Sequence, residues 1–165
     1  MRVFLGAFLQ AIVFRCGELS FALEARALAE VVPAVSLRTL PHAPNWVAGL
    51  LNLRGKTIPV IDLCEMMTGR AARRVLSTRI MVVHYPSPEK PEHLLGIMAE
   101  SLTEMQNLDD KVRTPAGVKT PEAPYLGDII ARGKESLQIL KVSELLPAEV
   151  KERLFTEASG AEAAR

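Results

Sequence analysis

"WVAGLLNLRGKTIPVIDL", residues 46–63, reads as two apolar strands folded back on each other at Arg54-Gly55. Its only ionisable side chains are Arg54, Lys56 and Asp62. Gly55 supplies the positive φ that a tight hairpin turn needs. Arg54 and Lys56 then stand at the exposed end of an otherwise apolar hairpin. Pro59 lies inside the second strand. It cannot donate to a ladder, which predicts an edge or a bulge at that point. "DLCEMMTG", residues 62–69, continues as a short helix capped by Asp62 and stopped by Gly69.

Working outward, strand signals dominate. Residues 10–16 and 19–23 form a hairpin turned at Gly17-Glu18, and "YLGDIIARGKESLQILKV" (125–142) forms another. "RIMVVHY" (79–85) is a buried strand, and "HLLGIMAESLTEMQNL" (93–108) supplies one or two more. "EARALAEVV" (24–32) gives a helical turn running into extended chain, and Pro33 stops any longer helix. "LRTLPHAPNW" (37–46), "PSPEKPE" (86–92) and residues 109–124 are connectors by composition. The four arginines of "RAARRVLSTR" (70–79) read as a solvated loop. "SELLPAEVKERLF" (143–155) is a terminal helix with Pro147 near its first turn, and a frayed tail is expected beyond Thr156. Short strands with helices only at junctions predict an all-β chain, a barrel or a sandwich.

An internal echo favours barrels. "WVAG" at 46–49 precedes "PYLG" at 124–127 by 78 residues, and "RGK" at 54–56 has the same offset from "RGK" at 132–134. One residue further on, "VIDLCEMM" (60–67) aligns with "ILKVSELL" (139–146), Glu65 with Glu144. Each half offers a strand, an Arg-Gly turn, an apolar strand and a helical start. That predicts two related lobes of small-barrel type.

Composition sets limits on function. The chain has 165 residues, 48% hydrophobic and 24% charged, with a net charge of +1. Such a balance suits one soluble domain, or two small lobes sharing a core, and gives no basis for nucleic-acid binding. The apolar start from Val3 to Phe14 is short for a membrane span and is broken by Gln10, so it reads as a first strand. Cys16 and Cys64 read as reduced, semi-buried small hydrophobes. His42, His84 and His93 have no metal-ligand spacing. No nucleophile elbow, glycine-rich phosphate loop or dinucleotide fingerprint occurs. No cofactor and no enzymatic activity are expected. An exposed Arg54 beside apolar strands suits protein recognition, with Glu30 of "LAEVV" as an acidic partner within the fold; a solvated hairpin tip is the plainer reading.

"FALEARALAEVV", "PHAPNWVAGLLNLRGKTIPVIDL", "LLGIMAESLTEM" and "APYLGDII" resemble, in order, the blocks of the CheW family of chemotaxis coupling proteins. The resemblance covers residues 8–147 as one domain of two intertwined subdomains, with 148–165 left as a C-terminal helix and tail. It implies two five-stranded SH3-like barrels around a shared core. It also implies a non-enzymatic cytoplasmic adaptor at receptor clusters. Such an adaptor joins the cytoplasmic tip of a methyl-accepting chemoreceptor to the regulatory domain of a CheA-type histidine kinase, without entering the membrane or binding nucleic acid. Asn52, Arg54 and Gly55 match the family's Asn-Leu-Arg-Gly, and Glu30 matches the acidic residue after the first hairpin. Leu28 and Gly49 match neighbouring receptor-side positions.

"HLLGIMAESLTEM" stands where the family often has a glycine- and valine-rich strand, and "VRTPAGVKTPEAP" (112–124) is particular to this chain. "PHAPNWVAGL", "VIDLCEMMTGRAARR", "LSTRI" and "EAPYLGDI" are similar to the WspB-like couplers of surface-sensing systems, whose kinase output drives a diguanylate cyclase. Other classes compatible with a small β-barrel are a nucleic-acid binder, a small hydrolase and a shed regulatory fragment of a kinase.

Overall fold

A computed structural model describes residues 8–117 and 120–164. The part of the apolar start that precedes Phe8, and two residues of the 112–124 loop, lie outside the described residues. The strands are β1 (Phe8–Cys16), β2 (Leu19–Glu24), β3 (Leu28–Pro33), β4 (Val47–Leu53), β5 (Lys56–Asp62), β6 (Arg79–Pro86), β7 (Pro91–Ala99), β8 (Met105–Asp109), β9 (Arg113–Thr114), β10 (Leu126–Arg132) and β11 (Glu135–Leu140). Helix α1 spans Leu63–Thr68 and α2 spans Ala148–Ala163, with 3₁₀ turns at Ala25–Ala27, Asp110–Val112 and Val142–Glu144. Asp62 caps α1 by accepting from the Glu65 N–H at 3.0 Å, and Gly69 ends it at φ 73°.

The strands form two sheets, ordered β8-β1-β2-β11-β10-β9 and β3-β6-β7-β5-β4. Apart from the two-residue β9, the sheets are one five-strand unit used twice. All pairings are antiparallel except β2 with β11 and β7 with β5, which occupy the same place in the two orders. The chain starts the first lobe with β1 and β2, builds the whole second lobe from β3 to β7, then returns to finish the first. Correspondence holds residue by residue. Ile12–Leu23, Phe14–Phe21 and Cys16–Leu19 of the first lobe take the places of Met81–Ile97, Val83–Leu95 and Tyr85–His93 of the second. Ile139 opposite Ala22 takes the place of Val60 opposite Gly96.

That register corrects the echo. Trp46 O accepts from Asp62 N at 2.7 Å, and its counterpart is Tyr125 O accepting from Lys141 N at 2.8 Å, one residue later than the "PYLG" alignment. The second hairpin accordingly turns at Gly133-Lys134. Arg132 is the last residue of β10, opposite Glu135 and bonded to its carboxylate at 2.8 Å. Only the first hairpin turns at Arg-Gly.

Side-chain alternation along each strand divides the core. Ala11, Val13, Ala22, Ile130, Leu137 and Ile139 fill the first barrel. The intervening Ile12, Phe14, Phe21 and Leu23 join a larger cluster with Ile61, Met81, Val83, Leu95 and Ile97 of the second lobe. Strands buried on both faces read as nearly continuous apolar runs, as β1 and β6 do.

Two other expectations change. Pro59 lies in an interior strand, opposite Leu50 of β4 and clear of the bulge between Val47 and Gly49. Its missing N–H costs no ladder bond to β7, because that ladder begins at Val60. Order also continues past Thr156. Helix α2 extends to Ala163 because Phe155 and Ala158 bury against the second lobe and the Glu162 carboxylate accepts from the Thr57 N–H at 3.1 Å.

Candidate partner-binding site

β3 and β4 are the two edges of the second lobe's sheet. Arg54, at the β4–β5 turn, reaches across that open seam to an ion pair with Glu30 of β3. The pair is solvent-facing: the Arg54 side chain is 72% exposed and that of Glu30 32%. Below it the seam is closed by backbone, with Arg38 N donating to Leu50 O at 3.0 Å and Leu50 N to Arg38 O at 2.8 Å.

The turn is built to lift Arg54 outward. Arg54 has φ 49° and Gly55 φ 84°, the left-handed pair of a primed two-residue turn. A non-glycine residue held there costs about 1–3 kcal/mol. Asn52 is exposed, and its Oδ1 accepts from the Gly55 N–H at 3.3 Å, bracing the turn. The structure thus gathers Glu30, Asn52, Arg54 and Gly55 at one rim. Leu28 is half-buried at the other side of a bulge in β3 and packs on the large core. Gly49 is buried at the far end of β4. A Cβ there would lie 2.4 Å from Arg38 O, so the seam requires a glycine at this position.

Two features carried no sequence signal. A cleft of about 550 Å³ runs from the Arg54–Glu30 rim to α2, lined by Leu53, Thr57, Pro59, His93 and Phe155. Its floor holds the Thr57 hydroxyl, buried without a hydrogen-bond partner. His93 is committed to packing, with its ring stacked on Phe155 at 3.9 Å. Beyond the β3 edge, Val31, Val35, Val75 and Leu76 stand exposed, Leu76 by 93%. The last two fall in the loop read as a solvated arginine run, which is also not wholly solvated. Arg73 donates to Glu100 at 2.6 Å, and Glu100 is buried.

Glu100 ties the lobes together. It accepts from the Gly17 N–H at 3.4 Å and from Cys64 Sγ at 3.6 Å, while its backbone pairs with Arg15. Burial alone would push its carboxyl up. The Arg73 guanidinium and the Gly17 N–H outweigh this and hold it below the usual carboxylate value. Cys16 and Cys64 are both free and buried. The hydrogen bond with Cys64 and burial push the Cys16 thiol far up, the opposite of an activated nucleophile. Among the described residues no group of three His, Cys, Asp or Glu is placed to hold a metal ion, and no helix is long and apolar enough to cross a membrane.

The rim presents one charged pair flanked by exposed Asn52 and Lys56, and comparison with known proteins supplies the lineage. The model of the CheW-like domain matches residues 10–150. The chain belongs to the CheW-like family. Protein FrzA of Myxococcus xanthus is 28% identical over 136 residues, covering 81% of this chain and 82% of FrzA. Chemotaxis protein CheW of Rhizobium meliloti is 23% identical over 145 residues, 87% of this chain and 90% of that protein. The crystal structure of the scaffolding protein TtCheW from Thermoanaerobacter tengcongensis superposes with a TM-score of 0.75 at 27% identity, covering 88% of this chain and 97% of that one. CheW-like membership accounts for the two SH3-like lobes and makes this chain a chemotaxis-type signalling adaptor. Helix α2 continues beyond the stretch that the family model matches.

Proposed function

We propose that this CheW-like chain is a non-enzymatic coupler that holds a methyl-accepting chemoreceptor tip and the regulatory domain of a CheA-type histidine kinase together, so that receptor state controls autophosphorylation. The observation that carries the reading is the exposed Arg54–Glu30 pair, set on a strained turn at the seam of the second barrel. A guanidinium there can fork onto a partner's carboxylate or carbonyl while its stem stays on apolar surface. Exposed Val75 and Leu76, which line one shallow surface with Pro33 and Ala34 just past β3, offer a second surface suited to a second partner. The coupler acts in the cytoplasm at receptor clusters, in a chemotaxis pathway or a WspB-like surface-sensing one.

Reconstitution tests this directly. A receptor cytoplasmic fragment, the kinase and this chain are mixed, and kinase autophosphorylation is followed. Stimulation that requires the chain and falls with Arg54→Ala supports the reading. A kinase whose rate is the same with and without the chain refutes it.

A further inference from the structure

The lobe correspondence shows one unfilled position. In the second lobe, α2 lies on the outer face of β5 and β7. Thr57 and Pro59 sit under it, and Phe155 stacks on His93. The first lobe presents the same outer face on β11 and β2. In the shared register Ser136 takes the place of Thr57, Gln138 of Pro59, Leu19 of His93 and Phe21 of Leu95. No helix of the described residues covers it. A groove of about 670 Å³ lies there instead, lined by Leu19, Phe21, Met67, Ile129, Ser136 and Gln138. Thr57 is buried and Ser136 exposed, and Leu19 is a 54% exposed leucine.

The occupant must approach face-on. β2 and β11 pair with each other and each has a further neighbour, β1 and β10, so no open strand edge offers ladder bonds here. What this sheet face accepts is displayed by its twin: two to three turns of helix, burying Leu154, Phe155 and Ala158. We propose that the β2–β11 face of the first lobe is a docking site for an amphipathic helix of a partner protein, with apolar residues spaced as in α2. Large apolar side chains at i and i+1 and a small one at i+4 would cover the exposed Leu19, fill the groove over the already buried Phe21 and bring the helix against Ser136. The rim carries both signs, Arg15 and Lys134 against Glu18 and Glu135, so apolar fit rather than net charge selects the helix. The site is separate from the Arg54–Glu30 rim and stands whether or not that rim binds a receptor.

The probe is a fluorescein-labelled peptide of this chain's own α2 sequence, residues 147–164, lactam-bridged on its polar face so that helix formation does not limit binding. Titration with the full chain should give saturable anisotropy, weakened at least tenfold by Leu19→Glu and by Ser136→Arg. Both positions are exposed, so melting temperature should stay near wild type, and either folded variant suffices. Leu76→Glu, on the other lobe, should bind as wild type does. Absence of saturable binding, or equal binding by the folded variants, overturns the proposal. So does sedimentation showing a wild-type dimer that Leu19→Glu dissolves, which would give the face to a second copy.

Discussion

Glu30 on edge strand β3 and Arg54 on the turn that follows edge strand β4 meet across the open side of the second lobe's sheet, with the backbone bridge of Arg38 and Leu50 beneath them. An ion pair this exposed contributes about 0–1 kcal/mol to folding. Alanine at position 54 inherits the same left-handed φ, so the backbone cost is unchanged. Arg54→Ala should therefore shift stability by less than about 1 kcal/mol while lowering receptor-dependent kinase stimulation about tenfold, the scale of one charge-assisted contact. Urea unfolding and the reconstituted kinase assay read the two separately. A variant that unfolds would make Arg54 part of the barrel closure instead.

Gly49 and Gly55 separate fold from rim. At Gly49, with φ 140°, a Cβ would lie 2.4 Å from Arg38 O and 3.1 Å from the Leu37 side chain. At Gly55 nothing lies within 4 Å. Gly49→Ala should cost about 3 kcal/mol or more, from strain plus a forced shift of the seam. Gly55→Ala should cost only the backbone term, about 1 kcal/mol. Chemical denaturation at one pH compares them; equal losses would contradict the seam geometry.

The hairpins, the buried strands and the start of α1 were legible because their signals are local: alternation, Gly turns and an Asx cap. The paired lobes were legible from the echo. The echo's offset was misread by one residue because Arg-Gly-Lys occurs twice while only the first copy makes the turn. Arg132 belongs to a strand, held there by Glu135. The fate of residues 156–163 was illegible. Ser159 and Gly160 are weak helix formers, and what keeps α2 going is tertiary: Ala158 buried on the second lobe and Glu162 on Thr57. The rim's membership was half legible. Arg54 and Glu30 come together as expected, while Gly49 lies against the Arg38 seam and Leu28 on the large core, away from that pair.

Thr57 lies under α2 with its hydroxyl buried and unpartnered. Such a group costs about 1–3 kcal/mol of desolvation that valine of the same shape avoids. Thr57→Val keeps the β-branched form and leaves the backbone N–H free to bond Glu162. The variant should be more stable by about 1 kcal/mol, raising the melting temperature by about 2–4 °C for a chain this long. Calorimetry checks it. A lower melting temperature would show that the hydroxyl has a partner in solution.

Glu100 sets the last prediction, on pH. Its folded carboxyl titrates below the ordinary value, so ionised Glu100 favours the native state. That contribution is fully present above the unfolded-state value, near pH 4.3, and is lost as pH falls through it and through the lower folded value. Glu100→Gln keeps the size but removes the charge that Arg73 and the Gly17 N–H favour. At pH 7 the variant should be less stable by about 1–3 kcal/mol. Arg73 itself is 76% exposed, so solvent screens its share and the lower end is expected. Urea midpoints at pH 7, 5 and 3.5 should show the gap between wild type and variant steady at the first two and narrowing at the third. A gap that stays constant down to pH 3.5 would mean that Glu100 acts through packing and shape, with no charge linkage between the lobes.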